Sequence, residues 1–266
     1  MKIFSLNAWG GKLHAPLLTY LQQVDPDILC LQEVVHTPHA QKEWLTYRDG
    51  DHVLPQRAQL FRELCEALPE HAGFFSPNAE GVLFDGETAL PSQFGLATFV
   101  RQEIPIIAQA VGFVHGGFSP KGYGEHPRPR NAHVLRVFDR AQDRTLTIAH
   151  MHGLRDLRGK MDTPQRQQQA RRFADLIGSV AEPADVLVAC GDFNVEPRSA
   201  TFDILGELGM TDLVTTRGFQ STRTSHYTKP GRFADYMLVN EAGLHCEFEV
   251  VSDPEVSDHC PLLLCI

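Results

Sequence analysis

The 266-residue sequence predicts a layered α/β sandwich, with paired sheets inside and helices outside. Two observations predict it. Short apolar runs rich in Val, Ile, Leu and Phe recur from end to end, as many as a sheet-dominated core needs. Helical patterns are mixed among them without the strict alternation of a parallel α/β fold.

The predicted strands are 2–6, 27–32, 94–100, 104–111, 133–138, 145–151, 185–190, 234–239, 244–251 and 261–265. The clearest helix is 163–178, where Ala170, Phe173, Ala174 and Ile177 form one stripe. Thr163 is placed to cap it, Pro164 suits its first turn and Gly178 can stop it. Shorter helices are expected at 15–23, 56–67 and 199–207. Residues 115–131 hold too many Gly and Pro for regular structure, and a loop this long is expected to serve as a substrate-facing lid, with a disordered crossover as the alternative. No repeat or linker composition divides the chain, so residues 1–266 are expected to form one domain.

Composition sets outer bounds. A 42% hydrophobic and 21% charged chain is neither disordered nor fibrous, and its net charge of −9 argues against nonspecific coating of nucleic acid. No apolar run approaches the ~20 residues of a membrane span, and Met1 to Asn7 is too short for a leader. The six cysteines lack Cys-x-x-Cys spacing and read as buried free thiols, which fits a cytoplasmic location.

Chemistry-bearing residues gather where apolar runs end. Gly191-Asp192-Phe193-Asn194 follows the run Val186 to Cys190, so a carboxylate and an amide leave a core strand two positions apart. Such a pair suits hydrolysis, the Asp activating water and the Asn donating to developing charge; a capped turn would use the same residues. Ser257-Asp258-His259 precedes the last run, Leu31-Gln32-Glu33 ends the second, and Ser5-Leu6-Asn7 ends the first. Oxygen ligands of this kind suit hard cations such as Mg²⁺. Asp235 opens a buried strand and needs a partner, for which His259 is a candidate; a carboxylate there would raise the imidazole pKa. His150 and His152 share a strand face. They can chelate zinc, or else divide between a phosphate and a structural hydrogen bond.

In this order, Leu6-Asn7, Leu31-Gln32-Glu33-Val34, His152, Gly191-Asp192-Phe193-Asn194, Asp235-Tyr236 and Ser257-Asp258-His259, the whole chain resembles the endonuclease/exonuclease/phosphatase superfamily. The resemblance implies a four-layer α/β/β/α sandwich of the deoxyribonuclease type and metal-assisted attack of water on a phosphate ester. It also implies Glu33 as the main ligand of Mg²⁺ or Mn²⁺, with Asn7 and Asp258 close by. Asp192 would align or deprotonate water, Asn194 would bind a phosphoryl oxygen, and His152 would contact the phosphate. His259 would bring a positive charge held by Asp235. Three positions depart from the pattern: Trp9 where a polar group is frequent, Gly153 where Leu is more usual, and His150 where Asn is frequent.

The expected substrate is a phosphodiester, in a nucleic acid or a small molecule. A phosphomonoester of a metabolite or inositol phosphate is the alternative, and an idle binding module the weaker one. His150, Arg166, Lys121, Arg128 and Arg130 are candidate substrate contacts. Arg166 falls on the apolar stripe of 163–178, where a buried cation needs a carboxylate or an anionic ligand. Arg155, Arg158 and Lys160 add to a local excess of positive charge beyond His152 that can line an approach for an anion.

Overall fold

The structure is a computed structural model that describes residues 1–243 and 245–266, with His52 described by its backbone alone. Its strands are β1 (Lys2–Asn7), β2 (Ile28–His36), β3 (Trp44–Asp49), β4 (His52–Arg57), β5 (His71–Asp85), β6 (Thr88–Arg101), β7 (Ile106–His115), β8 (Arg130–Asp139), β9 (Arg144–His152), β10 (Val186–Asp192), β11 (Thr211–Asp212), β12 (Asp235–Val239), β13 (Glu247–Val250) and β14 (Leu262–Cys265). The helices are α1 (His14–Val24), α2 (Leu60–Ala67), α3 (Pro164–Gly178), α4 (Ala200–Gly206) and α5 (Leu213–Thr216).

The strands form two mixed sheets, ordered β13-β14-β1-β2-β6-β5-β3-β4 and β11-β12-β10-β9-β8-β7. Apolar side chains on both faces of each sheet explain the layers. Ile3, Ile28 and Cys30 of the first sheet join Ile148, Val188 and Cys190 of the second in a core between them. Phe4, Leu6, Leu29 and Leu31 point to the other side and bury α1 and α2 through Leu17, Leu21, Leu60 and Leu64. On the far side of the second sheet, Phe173 and Ile177 of α3 complete the sandwich. This is the predicted fold class, α/β/β/α.

Several boundaries move. The helix predicted at 56–67 begins only at Leu60, because Gln56 and Arg57 pair with Leu45 and Trp44 as the end of β4. The sheet also gains β3, β4 and the 15-residue β5, whose strand face is interrupted by Pro77 and Gly81. The predicted strand 244–251 is observed over Glu247–Val250, and residue 244 lies outside the described residues. Thr163 caps α3 as expected, its side chain accepting from the Arg166 amide. The loop 115–131 is bound to the first sheet rather than standing free. Ser119 and Gly122 bond the backbone of β5, and Tyr123 packs over Gly81 beside Tyr47. No described helix is long and apolar enough to cross a membrane.

Candidate active site

One mouth of the crevice between the sheets collects the strand ends singled out in the sequence. Asn7 ends β1 and Asp192 ends β10, on opposite sheets, and Asn7 Nδ2 donates to Asp192 Oδ2 at 3.0 Å. Asp192 Oδ1 accepts the Asn194 amide at 3.0 Å. His152, at the end of β9, lies directly beside Asp192 in the parallel register. Its Nε2 stands 3.8 Å from both Glu33 Oε1 and Asp192 Oδ2. Asp235 opens β12 opposite Asp192, and both its oxygens lie 2.8 Å from His259 Nδ1. Ser257 Oγ donates to the Asn7 carbonyl at 2.7 Å, which anchors the Asp258-His259 segment on β1.

Local backbone geometry aims these groups. Between Leu31 and Val34, β2 advances three residues while β6 advances two, a bulge of one extra residue. Leu31 and Val34 both face the helices, so the bulge resets the alternation, and Glu33, at φ 55°, turns out of it toward the crevice mouth. Asn194 and Trp9 also have positive φ, 54° and 51°, so half of the described non-glycine residues in this conformation lie in or beside the cluster. Gly153 explains one departure from the expected pattern. A Cβ there would stand 2.1 Å from the Phe193 carbonyl oxygen, so only glycine lets the two segments meet.

The electrostatics of the cluster are uneven. Burial, then the neighbouring charges of Asp258 and Asp192, push Glu33 up to about 7 against the opposing pull of Asn7 and Arg130. Burial, reinforced by Arg130, His259, Arg155 and Arg223, holds His152 well below the ordinary histidine range, so it stays neutral. Asp235 and His259 form one hydrogen-bonded unit in which burial raises the carboxyl to about 7 and lowers the imidazole to about 4.

Arg223 decides the state of that unit. Its Nη1 donates to His259 Nε2, so Nε2 is the acceptor and Nδ1 carries the proton shared with Asp235. This corrects the expectation that His259 brings a positive charge and has its pKa raised by Asp235. The imidazole is neutral, and the cation is Arg223. Despite burial, Asp235, Asp192 and Asp258 hold Arg223 above its ordinary pKa. Lys160 stands nearby, donating to the Phe233 carbonyl, with its pKa lowered by burial against the pull of Asp192 and Asp235. Sequence reasoning missed Arg223 altogether and saw Lys160 only as part of a charged stretch. Residues 217–234 contain no strand or helix whose periodicity could have aimed Arg223.

The remaining candidates separate. Arg130 is buried at the site, its Nε donating to the Gly153 carbonyl at 2.9 Å, and burial lowers it to about 10 against the fields of Glu33 and Asp192. Asn194 Nδ2 reaches the same carbonyl at 3.3 Å. His150 does not reach the site. It is enclosed between the sheets, with Nε2 at 2.7 Å from Thr98 Oγ1 and Nδ1 at 3.5 Å from Gln32 Nε2, so the pair His150 and His152 forms no zinc clamp. Arg166 needs no anion, because its guanidinium donates to the carbonyls of Met161, Leu154 and Gly159. Arg128 is spent on Tyr47 and Asp49, tying the 115–131 loop to β3. Lys121 is exposed on that loop, and among the described residues no contact joins it to the cluster.

Two groupings offer themselves to a divalent cation. Asp192, Asp235 and His259 present ligand atoms within 4.8 Å of one another, but Arg223 and Lys160 already balance them. Glu33 fits better: it is an oxygen donor crowded by two further carboxylates that raise its pKa, which is the electrostatic demand a cation answers. Asn7 turns its amide nitrogen to this side, while its Oδ1 accepts the Trp9 amide at 3.0 Å, so as placed it steadies the carboxylates rather than offering an oxygen.

Known structures share this architecture. An endonuclease/exonuclease/phosphatase family protein from Bacteroides thetaiotaomicron superposes with a TM-score of 0.69 at 15% identity, covering 99% of this chain and 96% of its own. A mannosyl-6-phosphatase from the same species gives 0.65 at 14%, covering 99% and 98%. The human Nocturnin catalytic domain, with a bound sulfate anion, gives 0.65 at 18%, covering 99% and 93%. No curated protein matches the chain in sequence. The sequence profile described as the Endonuclease/Exonuclease/phosphatase family matches residues 4–259, nearly the whole chain and every strand end of the cluster, and the protein belongs to that family.

Proposed function

We propose that this protein hydrolyses a phosphodiester, as a nuclease or a small-molecule phosphodiesterase, with Mg²⁺ or Mn²⁺ and in-line attack of water. The observation that carries the reading is the bond between Asn7 and Asp192 across the two sheets, with Glu33, His152 and His259 gathered around the same carboxylate. This grouping supports assigning water activation, phosphate binding and metal binding to one cluster.

Glu33 and Asp258 would hold the metal, with Asn7 behind them. A bound divalent ion supplies Lewis acidity to the phosphoryl group and steadies the leaving oxygen. Asp192 aligns the attacking water and takes its proton; Asn7 and the Asn194 amide fix the two carboxylate oxygens for that task. Neutral His152, the Asn194 amide group and Arg130 face the phosphoryl oxygens. Arg223, through His259, adds the fixed positive charge that the phosphorane-like state demands.

Asp192→Asn and Glu33→Gln are each expected to lower Mg²⁺-dependent hydrolysis of an activated aryl phosphodiester by ~10²–10³ while circular dichroism stays unchanged. A folded Asp192→Asn protein with near-normal turnover would overturn the assignment, as would full activity after exhaustive chelation.

A further inference from the structure

Arg223 is buried, yet its polar contacts hold it at one corner. Nη1 donates to His259 Nε2 and lies 3.5 Å from Asp258 Oδ2. Its Nε is enclosed and, among the described residues, has no hydrogen-bond partner. A guanidinium bonded through one nitrogen has a pivot but no fixed plane, so a charge that is to stay aimed needs a second restraint. Tyr227 offers one. Its ring centroid lies 4.1 Å from Arg223 Cζ, well within the distance at which an aromatic face attracts a guanidinium. Lys160 Nζ stands 6.0 Å from the same centroid, so one ring serves both cations of the cluster.

The backbone that carries Arg223 also turns this ring back over it. Cys260 N donates to Thr222 O at 2.9 Å and Thr224 Oγ1 to Ser257 O at 2.7 Å, which fixes residues 222–224 beside the His259 segment. Ser225 N and Oγ each donate to Glu255 at 2.6 Å, and Tyr227 N donates to Thr224 O at 3.3 Å, closing the turn. Between Ser225 and Pro230 every other residue is exposed, and Tyr227 alone is half-buried. The faces of a guanidinium are weakly hydrated, so a ring can cover one without competing for the proton given to His259, whereas a further acceptor would compete.

We propose that Tyr227 is a positioning residue for the hydrolysis: its ring sets the plane of Arg223, so that the charge acting through His259 stays aimed as phosphoryl charge builds. The effect on turnover rests on the catalytic reading above. The hold on Arg223 rests on geometry alone, and each is tested by a separate measurement.

The first measurement is nuclear magnetic resonance of the ¹⁵N-labelled whole protein, with the Arg223 Nε–H signal assigned by its loss in Arg223→Lys. In wild type and Tyr227→Phe this proton is expected to be shielded by the ring and slow to exchange with water. Tyr227→Leu and Tyr227→Gln, which lack a ring, should lose both properties. The second is steady-state hydrolysis of an aryl phosphodiester with Mg²⁺. Each ringless variant should lower kcat about tenfold and change KM by less than about twofold, because the restraint acts on the transition state; Tyr227→Phe should stay within about twofold of wild type. In an Arg223→Ala background, Tyr227→Leu should cost nothing further, whereas a ring that only supports the fold would cost the same factor in both backgrounds. Wild-type kcat in the ringless variants, or a tenfold loss that persists without Arg223, overturns the proposal. An Arg223 signal indifferent to the ring overturns it equally. Should the wild-type protein hydrolyse no phosphodiester, the catalytic reading falls, and the Arg223 signal still decides whether Tyr227 holds the guanidinium.

Discussion

With Arg223 donating to His259 Nε2, the imidazole has no proton on that side, and the Asp235 carboxylate fixes the other nitrogen as the donor. The proton inventory of the cluster thus differs from one built on a histidinium, and the permanent charge resides on a group that does not titrate near neutrality. Arg223→Ala is expected to cost ~10² in turnover of an aryl phosphodiester, and Arg223→Lys only part of that, because ammonium keeps the charge without the planar fork. Steady-state kinetics on both variants would check this; equal activity of Arg223→Ala and wild type would remove Arg223 from the chemistry. Nothing local announced it. Asp192 and Asn194 were legible because a core strand fixes where its last residues point, whereas Arg223 is aimed by contacts 35 and 36 residues away in sequence.

Among the elements, β10 ends in Asp192, the carboxylate at the centre of the cluster, and Asp185, just before it, fastens its other end. The Asp185 carboxylate accepts from Arg136 on β8 at 2.8 and 3.0 Å, from Thr147 on β9 at 2.7 Å, from Thr145, and from the Glu182 amide at 3.0 Å. Although burial pushes the other way, these donors hold Asp185 down to about 2 from 3.8. A depressed folded-state value means the stabilisation is complete above the unfolded pKa and is lost as pH falls toward 2, on the order of 2 kcal/mol. Asp185→Asn should therefore destabilise by about that amount at pH 7 and by much less at pH 2.5, read from urea unfolding. The same loss at both pH values would contradict it. Elements with both ends in the core, such as β1, β9, β10 and α3, were read from sequence within a residue or two. The wing β3 to β5 was not, because its strands are half exposed and broken by Pro55 and Pro77, which hides the alternation that packing reveals.

At the scale of the molecule, a chain of hydrogen bonds joins the sheets through the core. Gln32 approaches His150 Nδ1, His150 Nε2 and His133 Nδ1 each lie 2.7 Å from Thr98 Oγ1, and His133 Nε2 lies 3.3 Å from Gln109 Oε1. Gln32 can only donate through its amide nitrogen, so each later link runs the same way and both imidazoles are neutral. Burial lowers His133 to about 4 from 6.5. Stability is then full above pH 6.5 and declines as pH falls through 4, by about 3 kcal/mol from this ring. Unfolding measurements from pH 7 to 4 should show the decline, and His133→Gln should flatten it; an unchanged slope in that variant would refute the assignment.

The extra residue in β2 has a consequence for how this sequence can vary. On one side of the bulge odd-numbered positions face the helices, and on the other even-numbered ones do, so the strand keeps two clocks offset by one tick. A substitution changes a hand on one clock. A one-residue deletion between Leu31 and Val34 would synchronise them, folding the sheet more regularly while swinging the carboxylate out of the crevice. The irregularity is therefore the coordinate that locates Glu33, and regularising the strand erases the address.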